Sequence, residues 1–186
     1  ASSEALRDHP ALSKLLRDQL EQVQQRLNRE LNRARLAGET LPGALFDCEK
    51  ELPGLLATLS MIHGEHLDLS YHAAPGLQLP WDREDLLELL GNLLDNACKW
   101  ADADVRLTVT EAAHSYRLVV EDDGPGIPET QRDQVFSRGA RLDEQIDGHG
   151  LGLGIVRDIV EVWGGVLQLQ ESGLGGLKVL IELPKR

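Results

Sequence analysis

No run of apolar residues in this chain approaches the roughly 18 to 20 that a membrane-spanning helix needs, and the amino terminus lacks the basic, apolar, small-residue order of a secretion signal. The expectation is a soluble chain without membrane contact of its own. Cysteine is scarce: Cys48 and Cys98 form no close pair and no metal-ligand spacing, which reads as reduced thiols of a cytoplasmic protein. A Gly-Lys-Ser or Gly-Lys-Thr sequence is absent, which excludes a Walker A phosphate loop. There is no internal repeat and no low-complexity tract.

Positive charge is in short supply and unevenly placed. The net charge is −12, yet residues 1–37 carry seven basic and five acidic side chains. Residues 38–186 therefore hold twelve basic and twenty-six acidic groups, about −14, and should repel nucleic-acid phosphates. A polyphosphate ligand would need a divalent cation and a few local basic groups to offset that repulsion.

What the chain does have is a change of period at residue 41. Before it, Leu12, Leu16, Leu20, Val23, Leu27, Leu31 and Ala34 recur every three or four residues between polar ones, a narrow stripe on one long helix ended by Gly38. Such a stripe suits packing against partner helices. After it, the alternations predict an α+β domain. Residues 44–49 read as a short strand, 52–63 as a helix and 66–73 as an alternating strand. Asp82 caps a helix reaching Trp100, strands follow at 105–110 and 115–121, residues 151–163 are helical, and strands at 166–170 and 177–183 close the chain. Twelve of the eighteen glycines lie between Gly124 and Gly176, where close backbone approach is expected.

Four segments carry chemistry. In LLELLGNLLDNACKW, Glu88, Asn92, Asn96 and Lys99 fall within roughly an 80° sector opposite Leu86, Leu90, Leu93, Leu94 and Ala97. Asparagine and glutamate oxygens are hard ligands suited to Mg2+, and Lys99 one turn on suits a phosphate. EDDGPGIP ends a strand with a carboxylate able to accept a hydrogen bond from an exocyclic amine, and Gly124 and Gly126 let a flat ring approach the backbone. VFSRGAR supplies Phe136 and the guanidinium groups of Arg138 and Arg141. DGHGLGLGIV, with Gly148, Gly150 and Gly152, runs into a helix whose first amides form a phosphate site. The His63, His66 and His72 cluster straddles a helix end and a strand, an arrangement that argues against zinc.

In that order the segments resemble the N, G1, F and G2 boxes of the ATPase family that groups gyrase, Hsp90, histidine kinases and MutL, and SGLGG from Ser172 resembles its last Gly box. LLDNACKW, EDDGPGIP and FSRGAR are most similar to PhoQ-type sensor kinases. The resemblance implies a two-layer α+β sandwich, a mixed sheet covered by three helices, over residues 41–186, with residues 1–40 as the second helix of a dimerisation and phosphoacceptor domain. It further implies ATP with Mg2+ held by Asn96, the adenine amine on Asp122, and Glu88 and Asn92 on the metal's water shell and the phosphates. Lys99, Arg138 and Arg141 would serve the phosphates, and Trp100 would wall the base pocket. Gly124, Gly126, Ile127, Phe136, Gly148, Gly150, Leu151, Gly152 and Leu153 would complete the cofactor site, and Glu88, Asn92, Lys99, Arg138 and Arg141 the catalytic set.

The implied reaction is transfer of the ATP γ-phosphoryl group to a histidine for relay to a response regulator. The parent protein would be a homodimer anchored in the inner membrane, with this domain in the cytoplasm. Two departures stand out. No histidine here has the family's acceptor context, since His9 in DHPAL lacks the following motif, so the chain alone is not expected to autophosphorylate. No Lys or Arg occurs between Arg141 and Arg157, whereas PhoQ-like relatives tend to carry one. The alternatives are an ATP-hydrolysing conformational ATPase of the same fold, with Glu88 activating water, or a non-catalytic nucleotide-sensing dimerisation module.

Overall fold

The computed structural model describes residues 45–132, Val135 and residues 152–185, all within the unit Pro42–Arg186. The expected first helix and the segment carrying Phe136, Arg138, Arg141, Gly148, Gly150 and Leu151 lie outside the described residues.

The described chain runs β1 (Phe46–Asp47), α1 (Cys48–His63), β2 (Asp68–Ala73), β3 (Gln78–Leu79), α2 (Arg83–Trp100), β4 (Asp104–Glu111), β5 (Ser115–Asp122), a 3-10 turn (Glu129–Gln131), α3 (Gly152–Val162), β6 (Val166–Glu171) and β7 (Leu177–Pro184). Five strands form one mixed sheet in the order β2-β4-β5-β7-β6, with β2 parallel to β4 and the other pairs antiparallel. Three helices follow from the periods, and the mixed sheet is the one that the resemblance implies.

Alternation along the strands defines the core. Val105, Leu107 and Val109 of β4 stand opposite Asp122, Val120 and Leu118 of β5, and Val179 and Ile181 of β7 continue the buried rows. Against them lie Leu52, Leu56 and Leu59 of α1, the leucine face of α2 from Leu86 to Leu94, and Val156, Ile159 and Val160 of α3. Where β5 begins, Trp81 packs on Tyr116 and Trp163 with ring centroids 5.5 and 5.3 Å apart.

Two expectations need correction. The strand expected at 44–49 is only Phe46–Asp47, and the helix expected from residue 52 starts at Cys48. The cause is Asp47, whose carboxylate accepts the amides of Glu49 and Lys50 and so caps the helix four residues early. Pro53 is tolerated inside α1 on its exposed side. The two-residue strand β3, antiparallel to β1, was not foreseen, because two residues carry no period. Asp82 does cap α2, accepting from the amides of Glu84 at 2.9 Å and Asp85 at 3.4 Å.

Candidate nucleotide site

The alternation that builds the core also places the site. Leu118 and Val120 point into the helical layer, so two residues on Asp122 points there too, while Asp123 falls on the opposite face. Asp122 is 3% exposed. Its Oδ1 accepts the amide of Gly124 at 3.0 Å and that of Leu177 at 3.0 Å. At this end of the β5–β7 ladder the carboxylate takes over from the backbone, and the Asp122 carbonyl accepts the Gly176 amide at 3.1 Å. Those bonds leave Oδ2 unengaged by either amide. Burial pushes the Asp122 carboxyl above the usual carboxylate range; the two amides pull it down and the charge of Asp123 adds to the rise.

Asp123 does different work. Its carboxylate accepts the amides of Asp102 and Ala103 at 2.9 and 3.0 Å, tying down the chain that leaves α2. Two adjacent aspartates thus divide into one that faces the site and one that fixes a loop, which strand parity explains.

Glycines let three backbones meet around Asp122. A Cβ on Gly124 would lie 2.2 Å from the Trp100 carbonyl oxygen, so the turn after β5 presses on the end of α2. A Cβ on Gly176 would lie 2.2 Å from Asp122 Oδ1 and 2.5 Å from the Gly124 nitrogen. Gly126 has φ +68°, and a Cβ there would lie 3.2 Å from the Gly176 carbonyl. Ordinary side chains at these positions would push the segments apart. Trp100 is half-buried beside this junction.

On α2, Asn92 and Asn96 are half-buried and Glu88 and Lys99 more exposed. Asn92 Nδ2 donates to the Glu88 carbonyl at 2.8 Å, which orients its Oδ1 as the available acceptor. The start of α3 stands beside it: a Cβ on Gly152 would be 3.7 Å from the Asn92 carbonyl and 3.8 Å from Asn92 Oδ1. The positive end of α3 and the polar row of α2 therefore adjoin. The Glu88 carboxyl is held above its usual range by partial desolvation and then by Asp85.

Other residues take less expected places. Lys99 Nζ lies 2.6 Å from Asp95 Oδ2, whose Oδ1 is 2.9 Å from His63 Nε2, so the lysine is paired within the protein. Partial burial raises the Asp95 carboxyl, but the hydrogen bonds from Lys99 and then His63 outweigh it and the net shift is downward. Leu153 is buried with Val156 on the core face of α3. The Ile127 carbonyl is occupied by Arg132 Nε at 3.1 Å. Arg132 was not singled out from sequence, and Gly176, Asp123, Asp95 and His63 were noted only as members of SGLGG, EDDGPGIP, LLDNACKW and the histidine cluster. Parity could have separated Asp123 from Asp122, and the four-residue step from Asp95 to Lys99 could have shown that pair. His63 and Arg132 join their partners only through space.

A buried acceptor at a strand end, with an asparagine row and a helix start adjoining each other on the helical layer, is the set of parts of a nucleotide site. The family model described as histidine kinase-, DNA gyrase B- and HSP90-like ATPase matches residues 81–186, and the chain belongs to that family. Within it, the chain is a histidine-kinase-type ATP-binding catalytic domain of sensor kinases. It is 64% identical over 184 residues to the sensor protein kinase CarS of Pseudomonas aeruginosa, covering 99% of this chain and 41% of that protein. It is 33% identical over 164 residues to the sensor protein PhoQ of Escherichia coli K12, covering 87% of this chain and 34% of PhoQ. Among solved structures, the mycobacterial sensor histidine kinase MprB matches with a TM-score of 0.66 at 28% identity, over 77% of this chain and 98% of that one. The chain thus spans about two-fifths of the length of CarS and about a third of PhoQ.

Proposed function

We propose that the domain binds ATP with Mg2+ and, within a longer protein, places the γ-phosphoryl group for transfer to a histidine on a separate helix, from which a response regulator takes it. The observation that carries this reading is Asp122: a 3% exposed carboxylate, fixed by two backbone amides, where two glycine turns meet the end of α2. An ionised carboxylate only accepts, and the exocyclic amine of adenine donates, so the pair is complementary.

The oxygens of Asn92, Asn96 and Glu88 form a hard donor set that fits Mg2+ with its waters, Asn96 being the direct ligand. A bound Mg2+ would neutralise phosphate charge, the demand set by a domain of about −14. The amides at the start of α3 would face the phosphates beside Asn92. Lys99 would exchange its bond to Asp95 for a phosphate oxygen or share its three donors between them. Arg138 and Arg141 would supply the remaining positive charge, Phe136 and Trp100 would flank the base, and Gly148, Gly150 and Leu151 would form the lid ahead of α3. Catalysis then rests on positioning and charge neutralisation, with the acceptor imidazole as nucleophile.

Residues 1–40 would form the second helix of a dimerisation domain, the parent protein being a homodimer anchored in the inner membrane with this domain in the cytoplasm. Among the described residues no helix is long and apolar enough to cross a membrane.

The test supplies labelled ATP to this chain with and without a separate phosphoacceptor helix pair from the same parent protein. Acid-labile label should appear only on the added histidine. Release of free phosphate without any protein label would favour the hydrolytic ATPase instead.

A further inference from the structure

Arg132 lies between the turn after β5 and the arginine-bearing segment, and nothing in the nucleotide chemistry above uses it. It follows the 3-10 turn, with its amide donating to the Glu129 carbonyl at 3.3 Å. Its guanidinium is spent on two backbone carbonyls. Nε donates to the Ile127 carbonyl at 3.1 Å and an Nη donates to the Leu169 carbonyl at 3.3 Å. Leu169 belongs to β6, one of the two edge strands of the sheet, so its carbonyl is capped from outside the ladder.

β6 and β7 are joined by residues 172–176, the hairpin whose Gly176 donates to the Asp122 carbonyl and lies against Gly126. The segment 124–127 is thus held at two points: Gly126 against Gly176 on one side, and the Ile127 carbonyl to β6 through Arg132 on the other. We propose that Arg132 is a positioning residue for the base, a clasp that holds residues 124–127 to the β6–β7 hairpin so that Asp122 and the turn meet adenine in a fixed geometry. It acts on the base end of the nucleotide and not on the phosphates. The inference rests on the ATP-binding reading and adds to it a division of labour among the arginines. Two of its five N–H donors are engaged by neutral carbonyls in a fork geometry that a lysine cannot reproduce.

This division is testable because a base clasp and a phosphate ligand depend differently on phosphate number. Arg132→Met keeps the length and apolar stem and removes every donor. With the parent chain binding ADP and ATP by calorimetry in Mg2+, the variant should bind both more weakly by the same factor, roughly tenfold for two hydrogen bonds. Arg132→Lys should recover only part of that loss. In the nucleotide-free protein, Arg132→Met should also speed hydrogen exchange of the Gly124, Gly126 and Ile127 amides, a readout independent of any ligand. In the full-length kinase, the ATP concentration for half-maximal transfer should rise while the rate at saturation holds.

A loss that grows from ADP to ATP would make Arg132 a phosphate ligand, and unchanged affinity would make it a surface group; either overturns the inference, as would full recovery with lysine. If Arg132→Met loses its cooperative thermal transition, Arg132→Lys decides by the same comparison. Failure of the parent chain to bind either nucleotide would instead overturn the ATP-binding reading, and the inference with it.

Discussion

Replacing Asp122 with asparagine separates what this side chain does for the fold from what it does for the ligand. Oδ1 accepts two amides at 3.0 Å, and the amide oxygen of an asparagine in the same rotamer accepts both. Nδ2 then stands where Oδ2 stood, and its donors face the donor amine of adenine. Losing a hydrogen bond to a charged group costs about 1.5–3 kcal/mol, and the opposed donors add about 1–3 kcal/mol. Affinity for ATP should therefore fall by roughly 10²- to 10⁴-fold. Stability moves the other way. A carboxyl whose folded pKa lies above its unfolded value favours folding at low pH, and that advantage is lost as pH rises through the folded pKa. Asparagine does not titrate, so Asp122→Asn should match the parent near the ordinary carboxylate range and become more stable than it as pH rises. Thermal unfolding followed by circular dichroism from about pH 4 to about pH 8 reads this difference, and calorimetry reads the affinity. Undiminished ATP binding by Asp122→Asn would refute the adenine role. A stability deficit that grew with pH would refute the account of its burial.

Two further predictions concern packing and thiol chemistry. Gly124→Ala puts a methyl 2.2 Å from the Trp100 carbonyl, an immovable backbone atom, and should lower stability by about 1–3 kcal/mol or more. Gly91→Ala, inside α2 with open space around it, should raise stability by about 0.5–1 kcal/mol, and chemical denaturation of the pair checks both signs. Cys48 and Cys98 are buried, and desolvation, aided by Asp47 and Asp95 respectively, pushes both thiols up to about 11. Neither should react with an alkylating reagent at about pH 8 until denaturant is added, and rapid labelling of the native protein would show that the helical layer around Cys48 or Cys98 opens readily.

Much of the architecture was legible because its signals are local. The leucine spacing of α2 and its aspartate cap predict a helix from Asp82 to Trp100, and the structure has α2 at Arg83–Trp100. The alternations of 105–110, 115–121, 166–170 and 177–183 are periods of two that a strand expresses residue by residue, and each lies within an observed strand. The start of α1 was misplaced because the deciding interaction, the Asp47 carboxylate on two amides, is a choice of rotamer that leaves no period along the chain.

The residue types needed for a nucleotide site, the asparagine row, the acidic strand end and the glycine turns, were likewise set by sequence alone, since composition and period dictate which side of an element they occupy. What only the tertiary structure decided is their mutual address. Gly176 reaches Asp122 because β5 and β7 pair in one register, His63 of α1 reaches Asp95 of α2, and Arg132 finds Leu169 across the sheet edge. Such meetings join residues tens of positions apart and leave no periodic trace along the chain. They exist only once the buried rows of the strands and helices have locked the elements in place.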